Sequence, residues 1–246
     1  MTVKKTGSAY AANHGFVIEQ NNATGGISFW EKTDNHSLAD RHGVSTADYI
    51  HAMFSFIRQA QSRRVLMIGC GGGTLATMLS RVGVAVTIVD IDGRNFDIAR
   101  AYFHMPDDVE CIVADGAAFA RRDKRKYDAI VVDAYADNEI PKAMRSQRFF
   151  DALKARLAPR NAVVMVNLIA RDIDDNGPDR FAQLMKKTWR NVRLLDDESC
   201  TSRNLIAVAG SVRKLMKPKL LMPPTSALKK LKLELAGLAF RPLRST

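Results

Sequence analysis

The sequence predicts an α/β protein with a mostly parallel, seven-stranded sheet, helices on both faces and an antiparallel last strand. Three observations predict it. Between residues 65 and 210, short apolar runs alternate with segments of helical periodicity. Runs such as AIVVDA (129–134) and AVVMVN (162–167) are apolar almost throughout, as strands buried on both faces of a parallel sheet must be. The run VLMIGCGGGTLATML (65–79) passes from a strand through glycines directly into a helix.

Residues 16–31 (FVIEQNNATGGISFWE) read as two short strands around an Asn/Gly-rich turn, a β-hairpin. Residues 46–60 carry apolar groups at helical spacing and begin near a Ser/Thr cap. The strands that follow are predicted at 65–69, 86–90, 109–114, 127–133, 162–168, 192–196 and 204–210. Helices are predicted over 73–82, 94–104, 116–122, 146–158 and 178–188. No helical segment separates the last two strands, so they form an antiparallel pair. A linker begins near Ser211, where Pro218, Pro223 and Pro224 prevent one continuous helix, and 226–240 reads as a basic amphipathic helix docked on its own domain or on a sister subunit.

At 246 residues and 46% hydrophobic, the chain can bury one sizeable core with a small appendage. The expected division is a hairpin and helix region (1–60), a nucleoside-binding domain (61–210) and a basic tail (211–246). The tail holds nine Lys/Arg against Glu234, which leaves only +3 of the net charge of +11 for the rest. Binding of nucleic acid or an anionic surface through the tail is the minority reading. Cys70, Cys111 and Cys200 are odd in number and lack CxxC spacing, pointing to reduced thiols in a cytoplasm and no zinc site. The histidines show no metal spacing, and no apolar run approaches a membrane span or a signal peptide.

The chemistry centres on residues 65–92. Val65 to Ile68 end in Gly69, Cys70, Gly71, Gly72 and Gly73, where bare backbone N–H groups and a helix N-terminus meet a ligand. Asp90 lies twenty-one residues beyond Gly69, at the end of the next apolar strand, and can accept hydrogen bonds from two ribose hydroxyls. Loop, helix, strand and acid in this order point to a nucleoside-containing cofactor. Asp133 also ends a buried strand, where an unpaired acid is costly, which marks it as a site residue. His51 reads as an interior histidine, Trp30 and Trp189 as packing residues, and DIDDNGPD (172–179) as a solvated loop with a helix cap at its end.

The stretches IGCGGGTL (68–75), VDID (89–92), ARAYF (99–103), ADG (114–116), YDAIVVDAYADNEIP (127–141), FFDALKARLAP (149–159) and VVMVN (163–167) resemble the class I methyltransferase fold. Within that Rossmann-like fold they resemble the spermidine synthase-like group, over most of residues 16–210. The resemblance implies a homodimeric enzyme that moves an aminopropyl group from decarboxylated S-adenosylmethionine to an amine such as putrescine, without a metal. It implies that Gly69, Gly71, Gly72 and Gly73 pass the methionine-derived part of the donor. Asp90 with Ile91 would hold the ribose side, and Asp115 with Gly116 the adenine amino group. Asp133 would act as general base at the reacting centre, with Tyr135 and Asp137 beside it.

Two departures from that group stand out. Gly72 occupies the place of an acid in a GGGDGG loop, and Asp133-Ala134-Tyr135-Ala136-Asp137-Asn138 replaces D-x-x-D-P. The tyrosine the group carries beside the helix histidine falls one place off, at Tyr49, with Ile50 in its register. A doubly positive diamine needs several fixed carboxylates, and this chain lacks one of them. Two other readings are a methyltransferase using intact S-adenosylmethionine, and a non-catalytic nucleoside-binding protein whose basic tail holds a partner.

Overall fold

A computed structural model describes residues 9–12, 15–31, 34–136 and 138–244. The hairpin expected near the N-terminus is the middle of a larger sheet. Strands β1 (Ala9–Ala12), β2 (Phe16–Gln20), β3 (Ile27–Glu31) and β4 (Asp34–Ala39) pair antiparallel in chain order. The Asn21 side chain closes the β2–β3 turn by accepting the N–H groups of Ala23 and Thr24, both at 3.0 Å. Phe16, Ile18, Ile27 and Phe29 point inward at alternate positions and pack on Ile98 and Phe103. That contact seats the small sheet on helix α3 (Arg94–Phe103) of the main body.

The main sheet alternates with helices as the sequence predicts. Its elements are α1 (Asp48–Gln59), β5 (Arg64–Ile68), α2 (Thr74–Ser80), β6 (Ala85–Asp90), then α3, β7 (Glu110–Val113) and α4 (Gly116–Arg122). They continue with β8 (Ala129–Val132), α5 (Gln147–Arg156), β9 (Val163–Ala170), α6 (Gly177–Lys186), β10 (Val192–Asp196) and β11 (Arg203–Gly210). The tail adds α7 (Leu228–Gly237) and β12 (Ala239–Arg241). The strand order is β12-β10-β11-β9-β8-β5-β6-β7. The pairs β9–β8, β8–β5, β5–β6 and β6–β7 are parallel, and β11 runs antiparallel between β9 and β10.

The expected seven strands are therefore eight. The extra one is three tail residues paired with β10, too short to carry a period of its own. A second correction concerns α1, whose N-cap is Ala47 with no side-chain cap. Ser45 instead accepts the Ala47 N–H at 3.1 Å, just outside the helix.

The central strands β5, β8 and β9 bury both faces. Val65 and Met67 of β5 face α1, α2, α3 and α7, while Leu66 and Ile68 face α4, α5 and α6. Each large apolar side chain so enclosed contributes roughly 1.5–3 kcal/mol relative to exposure. Among the described residues, no helix is long and apolar enough to cross a membrane.

The tail is strapped along α1. Met216 N–H reaches Gln59 Oε1 (2.8 Å), Lys219 N–H reaches Ser55 Oγ (3.0 Å), and Thr225 N–H reaches Asp40 Oδ2 (2.7 Å). Leu231 and Leu235 of α7 are buried in the core, and Phe240 stacks on Phe56. Arg241 ends this path between two buried acids, Asp179 and Asp196. The reading of 172–179 as a solvated loop fails at Asp179, which is fully enclosed as a partner of the tail.

Candidate active site

The parallel ladder ends in a row of residues at the carboxyl margin of the sheet. Gly69 N–H bonds the Val89 carbonyl, Asp133 N–H the Ile68 carbonyl, and Ala114 N–H the Asp90 carbonyl, each at 2.9 Å. These bonds carry the pairing of β5, β6, β7 and β8 one step beyond the strands, so the glycine bend, Asp90, Asp115 and Asp133 line one margin. In an open parallel sheet, this is where ligands bind.

At Gly69 the backbone turns with φ +99°, and a Cβ would run into the Asp133 carbonyl oxygen. The next bend is fixed by Asp90. Its Oδ2 accepts Cys70 N–H at 2.8 Å and its Oδ1 accepts Asp92 N–H at 2.9 Å. Gly72 donates its N–H to Ser37 Oγ of β4 at 2.8 Å. A Cβ at Gly72 would lie 2.9 Å from Ser37 Cβ and 3.0 Å from the Phe103 ring. The acid that the family resemblance places here would have to displace Ser37 of β4 or the Phe103 ring.

Asp133 is half-buried at this margin. Asn167 Nδ2 donates to its Oδ1 at 2.9 Å, and the Tyr49 hydroxyl faces the same carboxyl group. Burial pushes the Asp133 carboxyl above its usual range; Asn167, Tyr49 and the nearby His36 pull it only partly back. Burial likewise raises the Tyr49 hydroxyl, helped by the neighbouring Asp133 charge. Tyr135 donates its hydroxyl to the Asn167 carbonyl at 2.7 Å. Asn167 is 3% exposed, and its Oδ1 has no hydrogen-bond partner.

The remaining predicted positions differ in character. Asp115 caps α4, its Oδ1 accepting Ala118 N–H at 2.6 Å. Gly116 lets the start of that helix press against Ile68 and Met144. Ile91 is 75% exposed and Val113 63% exposed, two large apolar side chains at the same margin as Asp90. Asp137 lies outside the described residues. His51 is interior, with Nε2 at 2.7 Å from the Ser45 carbonyl oxygen.

Sequence reasoning assigned no role to Asn167, Tyr49, His36 or Ser37. Asn167 carried a usable signal, as the one polar residue within the apolar strand VVMVNLIA. The others come from elements whose contact with the site depends on the tertiary fold.

A family profile described as a methyltransferase domain matches residues 65–160. A "Probable polyamine aminopropyl transferase" of Bifidobacterium longum is 38% identical over 146 residues, 58% of this chain and 33% of that protein. A "Polyamine aminopropyltransferase" of Chromobacterium violaceum is 32% identical over 122 residues, 47% of each protein. The chain thus spans between a third and a half of the length of these curated relatives. The crystal structure of a "probable spermidine synthase" from Corynebacterium glutamicum superposes with a TM-score of 0.77 at 18% identity, covering 98% of this chain and 92% of that one. The chain thus has the fold shared by spermidine synthases and class I methyltransferases, and over part of its length it is similar to polyamine aminopropyltransferases.

Proposed function

We propose that this protein transfers an aminopropyl group from decarboxylated S-adenosylmethionine to an amine, with Asp133 receiving the amine proton. The observation that carries this reading is the setting of Asp133, a carboxylate at the strand margin held by Asn167 and faced by Tyr49. The curated aminopropyltransferase relatives support the same reaction type.

The residues at the margin fit an adenosine. Each Asp90 oxygen accepts one N–H and keeps a lone pair for a ribose hydroxyl. Asp115 commits Oδ1 to the helix cap and keeps Oδ2 for the adenine amino group. Ile91 and Val113 offer the exposed apolar surface that a base would cover.

The donor supplies a carbon made electrophilic by an attached sulfonium. An aliphatic amine with a pKa of about 10 arrives protonated and cannot attack. Asp133 orients the ammonium and takes its proton as the nitrogen lone pair forms the N–C bond and the C–S bond breaks to leave a thioether. Asn167 Oδ1, buried and without a partner, offers a second acceptor for an ammonium N–H.

The glycine loop favours the decarboxylated donor over the intact one. The N–H groups of Gly69, Cys70, Gly72 and Gly73 are already bonded to Val89, Asp90, Ser37 and Cys70. A donor carboxylate would have to displace one of these bonds or rely on the Gly71 N–H and the first turn of α2. Calorimetry with decarboxylated S-adenosylmethionine, S-adenosylmethionine and methylthioadenosine, followed by product analysis with putrescine, tests the proposal. Tighter binding of the intact donor, or a methylated product, would overturn it.

A further inference from the structure

The fold gathers cations that are scattered along the sequence. Two of the arginines counted to the tail are paired with acids, Arg241 with Asp179 and Asp196, and Arg244 with Glu198. A separate concentration lies at the amino-terminal margin of the main sheet, opposite the site. The register aligns Val65 with Ala129, Ala129 with Val163, Val163 with Gly210, and Ala209 with Val192. Every connection entering or leaving this row is basic.

Arg63 and Arg64 lead into β5, and the run RRDKRK (121–126) precedes β8. Arg160 precedes β9, Arg190 precedes β10, and Arg213 with Lys214 follow β11. These named arginines and the lysine are exposed. Among the described residues of these connections, only Arg125 has a carboxylate in ion-pair range, shared between Glu110 and Asp123. The acid Asp128 also lies in the row, where it accepts the backbone N–H groups of Arg63 and Arg64. Five adjacent strands about 4.8 Å apart spread the cations along a margin of roughly 20 Å.

We propose that this margin binds the phosphate backbone of a nucleic-acid duplex without reading its sequence. The guanidinium groups that dominate it match phosphate oxygens two at a time. The aromatic side chains of these connections, Tyr127 and Trp189, are buried, so none is offered to stack on an unpaired base. Of the exposed large apolar side chains among the described residues, only Met216 and Leu221 fall in these connections, both beyond Lys214 on the segment strapped to α1, too little to anchor the margin in a lipid bilayer. The donor site lies at the other end of the same strands, so both can be occupied together.

Fluorescence anisotropy of the full chain with two labelled duplexes of unrelated sequence tests this. Both should bind equally, and neutralising about five phosphates predicts a loss of roughly 10²–10³-fold between 50 and 200 mM salt. The triple variant Lys124→Glu, Arg160→Glu, Arg190→Glu should bind at least tenfold more weakly. The variant Lys219→Glu, Lys229→Glu, Lys232→Glu, with the same change in net charge on the tail, should bind like the parent. Glutamine at 124, 160 and 190 repeats the comparison without new acids, and unchanged melting temperatures establish folding. Absence of duplex binding, equal loss in both charge-reversed variants, clear sequence preference, or tighter capture by phosphatidylserine vesicles than by duplexes would each overturn the proposal.

Discussion

Arg241 meets Asp179 side by side, with Nη1 and Nη2 each 2.8 Å from a carboxylate oxygen. Its Nε reaches Asp196 at 2.7 Å, and Asp196 is also held by Arg203 at 2.6 Å. The Arg241 side chain is 7% exposed and both acids are fully enclosed. One residue from the last strand therefore neutralises acids from α6 and β10. Removing it leaves two carboxylates in the interior, Asp196 with Arg203 and Asp179 with the Arg244 N–H. Arg241→Ala is expected to destabilise the fold by about 3–5 kcal/mol, read from urea unfolding. A loss below about 1 kcal/mol would place the tail outside the cooperative unit.

Asp179 gives the same network a pH dependence. Burial pushes its carboxyl up, but the bonds from Arg241 and the Arg244 N–H outweigh burial and hold it below the usual range. A folded value below the unfolded one means stability that is present above about pH 3.9 and is lost as pH falls through the folded value. Asp179→Asn should therefore be much less stable than the parent at about pH 6, with the gap narrowing below about pH 3.9. An unchanged gap at about pH 3 would show that ionisation of Asp179 is not what stabilises the tail.

The alternation of strands and helices was legible because β5, β8 and β9 are buried on both faces and their helices each show an apolar stripe. β4 was not. Its sequence DNHSLA has no apolar alternation, and it exists by pairing with β3 above the glycine loop. β12 was invisible for a related reason, since Arg241 reads as one more tail cation until the acids around it are placed. In the site, Asp90 and Asp133 could be found by position, because both stand where an apolar strand ends. Asn167 and Tyr49 could not be assigned to Asp133, because their contact depends on the order of strands and the path of α1.

The closeness of Gly72 to Ser37 makes a second test of this arrangement. Gly72→Ala should destabilise by about 1–3 kcal/mol through overpacking against Ser37 and Phe103. Adding Ser37→Gly should recover part of that loss, with a coupling of about 0.5 kcal/mol or more in a double-mutant cycle. Gly72→Asp should bring no gain in diamine affinity, because the side chain would have to displace β4. Additive effects of the two substitutions would mean that β4 does not rest on the loop.

Asp133 supplies the last prediction. If it takes the amine proton, Asp133→Asn should lower turnover by about 10²–10⁴-fold while leaving donor affinity nearly intact. Burial raises its carboxyl, so the acidic limb of the parent's pH–rate profile should lie above the usual carboxylate range. The Tyr49 hydroxyl favours the ionised form and so opposes that rise. Tyr49→Phe should therefore shift the limb further upward, by up to about one pH unit for an interaction worth about 1.4 kcal/mol. Activity at high pH should change far less, because Asp133 is ionised there in both proteins. A downward shift, or a uniform loss across the whole pH range, would mean that Tyr49 acts on the substrate and not through Asp133.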